Sequence, residues 1–320
     1  MVQTLFLVAA VLLGGCVGSF LNVVIYRVPA GTFFSGGSRS RCPNCREAIA
    51  AYDNLPVLSW IFLRGKARCC GTSISPRYPL VEALTAVIFG WLFWTSIGIH
   101  LPAEWSPAVA APGWQEWVMF LFRAWFLSAL VACTFIDIDH RILPDVITKP
   151  TMVIGVVGSA VVPGLSGSFV ASPDRYDGVF FSVVGLISGL ACTWFIREVA
   201  SRVFGREAMG FGDVKLMGAI GAFLGWDGAV IAFFLGSLLG ALYGAVHQLV
   251  TREAQIFFGP FLAAGAVITQ FHKDGIKTFV TVTWPDWQQE LNLPIWASSG
   301  IVLFFAFSLL LIIRRGRRHH

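Results

Sequence analysis

Residues 118–145 read VMFLFRAWFLSALVACTFIDIDHRILPD. From Val118 to Ile136 the run is almost wholly apolar, and at 1.5 Å per residue it spans about 28 Å, close to the hydrocarbon thickness of a bilayer. It stops abruptly at Asp137, Asp139, His140 and Arg141. A long apolar block that ends in carboxylates reads as a membrane helix with chemistry at one face, since ionisable groups at membrane depth are expensive and usually functional.

Similar blocks fall on both sides of it, near Leu5 to Tyr26, Leu80 to Ile99, Val146 to Leu165, Gly178 to Ile196, Val214 to Trp226, Ala229 to Val250, Phe258 to Phe271 and Ile295 to Ile313. The 320 residues are 56% hydrophobic and 13% charged, with 28 Phe, 12 Trp and a mean hydropathy of +0.72. Soluble domains carry about a quarter charged residues, so a water-soluble globule, a coiled coil and a disordered chain are excluded. The blocks do not alternate as barrel strands would. An all-α polytopic membrane protein is expected, with about eight or nine transmembrane helices; the sixth and eighth blocks are short.

The first basic residue, Arg27, follows the first apolar block, the reverse of a signal peptide. With the N-terminus placed outside, 19 of the 23 Lys and Arg fall in inside segments and only Arg175, Lys273 and Lys277 fall outside. Short basic loops stay cytoplasmic, so this orientation is strongly favoured. The net charge of +5 then reflects membrane orientation, and nucleic acid is not an expected partner; lipids are. Arg123, inside the third block, has no role legible in the sequence.

These assignments divide the chain into a first helix (1–26), a cytoplasmic Cys-containing insert (27–78), a transmembrane core (79–271), an outer loop (272–294), and a last helix with a basic tail (295–320). A further outer segment, from about His100 to Trp117, reads as an interfacial loop. Gly185 with Gly189, and Gly236 with Gly240 and Gly244, place small residues every four positions, which suits close helix packing.

Of seven cysteines, Cys16, Cys133 and Cys192 lie in apolar blocks and read as small filler. Cys42 and Cys45 form a two-residue-spaced pair, and Cys69 and Cys70 follow as an adjacent pair, all in the insert. Thiols there stay reduced in a cytoplasmic setting. They read either as a zinc site that stabilises a small insert or as unliganded thiols, because adjacent cysteines chelate one ion awkwardly.

Asp137 ends the third block and Asp213 begins the sixth, in GFGDVKL. Two complete crossings separate them, so parity puts both at the same face. Two carboxylates at one sheltered site cannot both ionise easily, so one keeps a proton while the other serves as a base, the requirement for aspartyl proteolysis without a metal. Gly210 and Gly212 would let an extended substrate backbone approach Asp213 closely. Asp139 and Lys215 are supporting candidates, and His140 a polar neighbour. The bland alternative is that the acids merely pair with Arg141, Lys149 or Lys215 at the interface.

These residues resemble the type IV prepilin peptidase family, bacterial inner-membrane aspartyl proteases with a GxGD signature. The resemblance runs through Gly18-Ser-Phe-Leu-Asn22-Val-Val-Ile-Tyr26-Arg27, the Cys42 to Cys45 pair, Ile74-Ser-Pro-Arg77-Tyr78-Pro79-Leu-Val-Glu82, FIDIDHRILPD, GFGDVKL and Phe258-Gly259-Pro260-Phe261. It implies that Asp137 and Asp213 are the catalytic pair, Asp137 being preferred to Asp139 because it stands seven residues before Pro144. It also implies removal of a short basic leader from prepilins or pseudopilins at the cytoplasmic membrane face. N-methylation of the new N-terminus, with S-adenosylmethionine as donor, would follow.

Only the resemblance speaks for methylation, for there is no Gly-rich nucleotide motif. A pocket for its donor would suit the insert and its membrane junction, where Gly65 and Lys66 are candidates. The family's second cysteine pair is spaced by two, whereas here Gly65-Lys66 is followed by Ala67. Its Ile-Pro-Phe-Gly-Pro becomes Ile256-Phe257-Phe258-Gly259-Pro260, and the ninth block is an addition to the usual eight. The rival reading is an ion-coupled transporter binding ions at Asp137 and Asp213; such sites favour the midplane of internal repeats, which this chain lacks.

Overall fold

The computed structural model describes residues 2–33, 42, 44–98, 112–166, 174–205, 207, 209–251 and 257–286. Its helices are α1 (Val2–Arg27), α2 (Leu58–Phe62), α3 (Arg77–Ser96), α4 (Trp114–His140), α5 (Asp145–Val161), α6 (Arg175–Phe204), α7 (Phe211–Thr251) and α8 (Gly259–Thr278). Among the described residues there is no strand, only an isolated bridge between Lys66 and Ser73. The chain is an all-α polytopic membrane protein. Among the described residues, five stretches are long and apolar enough to cross a membrane: α1, α3, α4, most of α6 and most of α7. Helices are the natural outcome because lipid offers no partner to an unpaired backbone amide. The ninth apolar block lies outside the described residues.

Helix contacts run through glycines. A Cβ on Gly14 would stand 2.7 Å from that of Phe89, and one on Gly18 would stand 2.7 Å from the Cα of Glu82, so α1 and α3 touch backbone to backbone. Gly185 and Gly189 of α6 meet the carbonyls of Gly221 and Met217 in α7 in the same way, and Gly236 meets the Phe261 carbonyl of α8. Without a hydrophobic drive between helices in lipid, such close approach supplies the dispersion that holds them. Phe126 of α4 stacks on Phe223 of α7, centroids 4.6 Å apart, in the buried centre.

Helix α7 is really a helical hairpin. Gly240 packs on Phe258, beside Gly259, whose N–H donates to Asp137, and Asp137 in turn acts electrostatically on Asp213. In a straight helix Asp213 and Gly240 would lie about 40 Å apart. The reversal is at Gly225, with φ 73° and ψ 177°, so the sixth and seventh blocks are two helices that fold back on each other. Asp227 just beyond the turn pairs with Lys273 (2.8 Å) and Lys277 of α8, and Lys273 also donates to the Leu224 carbonyl at 2.6 Å.

That cluster corrects two boundaries. Residues 272–278 belong to α8, and a further π-helical turn spans Phe279–Thr283, where an outer loop was expected. The hydropathy falls there because one face of the helix carries the lysines that reach Asp227, not because the helix ends. Likewise residues 114–117 open α4 instead of ending a loop. Arg123 extends from α4 to the Ser96 hydroxyl (3.5 Å) and faces Asp274, tying α3, α4 and α8 together at the end away from Asp137.

Replacing Gly225 by Ala should lower stability by about 1–3 kcal/mol, because its φ/ψ region is open essentially to glycine alone. Thermal unfolding of the detergent-solubilised protein, followed by tryptophan fluorescence, checks this; an unchanged midpoint would refute the hairpin role of Gly225.

Candidate active site

Asp137 lies in the last turn of α4. The helix stops there because Arg141 adopts a left-handed conformation (φ 56°) and returns its N–H to the Asp137 carbonyl at 2.9 Å. The following Leu143 precedes a proline, which disfavours further helix, and α5 starts afresh at Asp145. Asp213 sits in the first turn of α7. The loop before it is held by Arg197, which donates to the Met209 carbonyl at 3.0 Å and pairs with Glu207 at 2.8 Å.

Both carboxylates are only 8% exposed, and they sense each other's charge. Each receives one backbone N–H, Asp137 from Gly259 and Asp213 from Gly210. The two acids that parity placed at one face are therefore both buried at the same end of the bundle, close enough for the charge of Asp137 to act on Asp213.

The glycines divide their work. A Cβ on Gly212 would stand 2.8 Å from that of Leu143, so its bareness lets the head of α7 lie against the α4–α5 link and brings Asp213 toward Asp137. On Gly210 a Cβ would meet only the Asp213 carboxylate, at 3.5 Å. Gly212 is thus a packing residue, and Gly210 the one left open beside the acid.

Both lysines of the interface-pairing alternative turn to a third acid. Lys215 and Lys149 both engage Asp145, at 2.5 and 2.7 Å, and hold its carboxyl below the usual carboxylate range, Lys149 contributing most. Asp139 pairs with Arg77 on the surface of the α4 terminus. Lys215 also lies over the Phe211 ring at 5.1 Å, so its part is to fix the α7 start against α5.

In the insert, Cys42, Cys45, Cys69 and Cys70 bring their sulfurs within 4.8 Å of one another. Cys45 and Cys69 are 3.3 Å apart and Cys42 and Cys70 3.6 Å. The adjacent pair reaches both partners because Lys66 to Ser73 forms a tight hairpin closed by Ala67 N–H to the Thr72 carbonyl, 2.8 Å. Contact with Thr72 pulls the Cys70 thiol down to about 6, while the neighbouring Cys45 pushes Cys69 up to about 12. Four thiols so gathered fit a tetrahedral soft cation.

Gly65 is buried under the Trp60 ring with φ +69°, and its carbonyl accepts from Ile74 N–H at 2.7 Å, so it serves the hairpin. Lys66 is exposed and carries the same sign of charge as a sulfonium.

In the sequence Phe258-Gly259-Pro260 is only a motif, yet Gly259 is the residue on which a Cβ would stand 2.6 Å from the Asp137 carboxylate. The available signal was the Gly-Pro pair at a helix start, where proline suits the first turn and glycine permits close approach. Glu82 was likewise unassigned; it accepts the Val57 N–H at 2.7 Å and hydrogen-bonds Ser19 and Asn22, pinning the insert to α1 and α3.

Residues 12–96 match the family described as bacterial peptidase A24 N-terminal domain, and residues 124–245 match the type IV leader peptidase family. A prepilin leader peptidase/N-methyltransferase of Aeromonas hydrophila is 35% identical over 81% of this chain and 88% of its own length. One of Myxococcus xanthus is 36% identical over 91% of this chain and 75% of its own, and one of Neisseria gonorrhoeae 33% identical over 83% and 91%. No solved structure matches.

Gly212→Ala should destabilise the protein by about 1–3 kcal/mol through overpacking on Leu143, while Gly210→Ala should melt near the parent temperature. Equal melting of the two variants would remove the distinction between them.

Proposed function

The chain belongs to the type IV leader peptidase family, and from that premise we propose that it cuts the basic leader from prepilins or pseudopilins at the cytoplasmic face of the bacterial inner membrane, with Asp137 and Asp213 as its catalytic pair, and N-methylates the new N-terminus. The observation that carries this reading is the approach of two buried carboxylates, 76 residues apart in sequence, each held by a backbone N–H. An ion-coupled transporter finds no support, since the acids lie at one end of the bundle and the relatives carry a peptidase name.

In the chemistry this pair supports, the ionised carboxylate takes a proton from water as the water oxygen attacks the scissile carbonyl carbon. The protonated carboxyl gives its proton to the carbonyl oxygen, forming a tetrahedral diol. As the C–N bond breaks, a proton passes to the leaving nitrogen, so the products are a leader carboxyl and a free amine. That amine is the acceptor for the methyl group that S-adenosylmethionine supplies. Gly210 leaves room beside Asp213 for an extended substrate strand.

The 19 to 3 split of basic residues supports an outside N-terminus and a cytoplasmic insert. On that reading residues 27–78 form a cytoplasmic unit between the first helix and the peptidase core, and its cysteines stay reduced. Cys42, Cys45, Cys69 and Cys70 would hold a zinc ion whose part is structural, replacing the core that so short a segment lacks.

Asp137→Asn and Asp213→Asn should each leave less than a few per cent of prepilin cleavage at normal abundance, whereas Asp139→Asn should retain more, because Asp139 is exposed and paired with Arg77. A purified Asp213→Asn protein that still cuts near the parent rate would refute the assignment. Metal analysis of the purified chain should find about one zinc per chain, and Cys42→Ser with Cys45→Ser should remove it. Metal-free parent protein with four titratable insert thiols would show that the cluster is unliganded.

A further inference from the structure

Asp137 occupies an awkward place. The last turn of a helix has carbonyls without intrahelical partners and frays readily, yet a catalytic carboxylate must hold its geometry to a fraction of an ångström. One side chain from another element grips that turn on both sides of Asp137. The Arg77 guanidinium donates to the Phe135 carbonyl at 3.0 Å, lies 5.1 Å over the Phe135 ring, and pairs with the Asp139 carboxylate. Phe135 and Asp139 flank Asp137 at two residues on either side.

The position of Arg77 is itself fixed. It is the first residue of α3, its N–H donates to the Ser75 hydroxyl at 3.3 Å, and Asn22 of α1 holds the next carbonyl, that of Tyr78, at 3.1 Å. It also closes the insert. The thiol-bearing hairpin returns through Ile74, whose carbonyl accepts from the Trp60 indole at 3.0 Å, and only two residues then separate Ile74 from Arg77.

We infer that Arg77 is a positioning residue for proteolysis, a strut from the foot of the insert that locks the terminal turn of α4 and so orients Asp137. The planar fork of arginine is needed, since one lysine ammonium cannot engage a carbonyl, an aromatic face and a carboxylate together. Arg77 touches neither carboxylate of the pair, so it acts on turnover and leaves substrate binding alone.

This inference rests on the peptidase reading above, and the test separates the two. With full-length protein in detergent and a synthetic peptide spanning a prepilin cleavage junction, Arg77→Gln should lower kcat by about ten- to a hundredfold with KM within about twofold of the parent. Arg77→Lys should recover only part of the loss. The double variant Arg77→Gln with Asp139→Asn should be no slower than Arg77→Gln alone, because both changes open one clamp. A raised KM with parental kcat would mean that Arg77 binds substrate and would overturn the strut, as would additive losses in the double variant. If Arg77→Gln does not accumulate as folded protein, Arg77→Lys and Asp139→Asn decide by the same split: both at parental kcat would overturn the inference. Asp213→Asn in the same assay isolates the premise; an inactive Asp213→Asn beside a fully active Arg77→Gln would sink the strut alone.

Discussion

Keeping two carboxylates buried beside each other is the constraint on which the rest of this structure depends. An ionised carboxylate out of water is costly unless hydrogen bonds and a partner's proton compensate. Asp137 and Asp213 each receive a backbone donor, from Gly259 and Gly210, and a proton held by one acid removes the like-charge repulsion between them. At Gly259 the donor has to be a glycine, because a Cβ there would stand 2.6 Å from the Asp137 carboxylate. The same demand for close approach continues away from the site, through Gly212 on Leu143 and through the glycine seams between α1 and α3, α6 and α7, and α7 and α8.

The opposite end of the bundle is organised by charge. Lys273 and Lys277 close on Asp227 where α7 reverses, and Arg123 faces Asp274 nearby. These groups hold the α7 hairpin against α8, and α8 in turn delivers Gly259 to Asp137. The geometry at the acids therefore depends on an ion cluster about one helix length away. The insert is joined to the acid-bearing end through Glu82, which takes the Val57 N–H, so its thiol hairpin and the membrane helices share one foundation.

Much of this was legible beforehand. Apolar block length set the helices, and counting crossings between Asp137 and Asp213 put both at one end, which the structure bears out. The clustering of four thiols was foreshadowed by spacing, although the adjacency of Cys69 and Cys70 argued against it; the Lys66 to Ser73 hairpin resolves that by presenting both sulfurs to one side. The packing of Gly212 on Leu143 is not visible in the sequence, because the two residues are 69 positions apart.

Hydropathy and crossing parity are properties of short windows, so the sequence by itself determined that this chain is a helical membrane protein, where most helices lie and that the two aspartates stand at one end. Tertiary structure alone decided that α8 continues past Phe271, that Gly225 turns α7 back on itself, that Gly259 serves Asp137 and that Arg77 grips the end of α4. Each of these is a contact between residues far apart in the chain. Such contacts are selected by which glycine faces allow two backbones to touch, a condition on three-dimensional packing that no local pattern encodes.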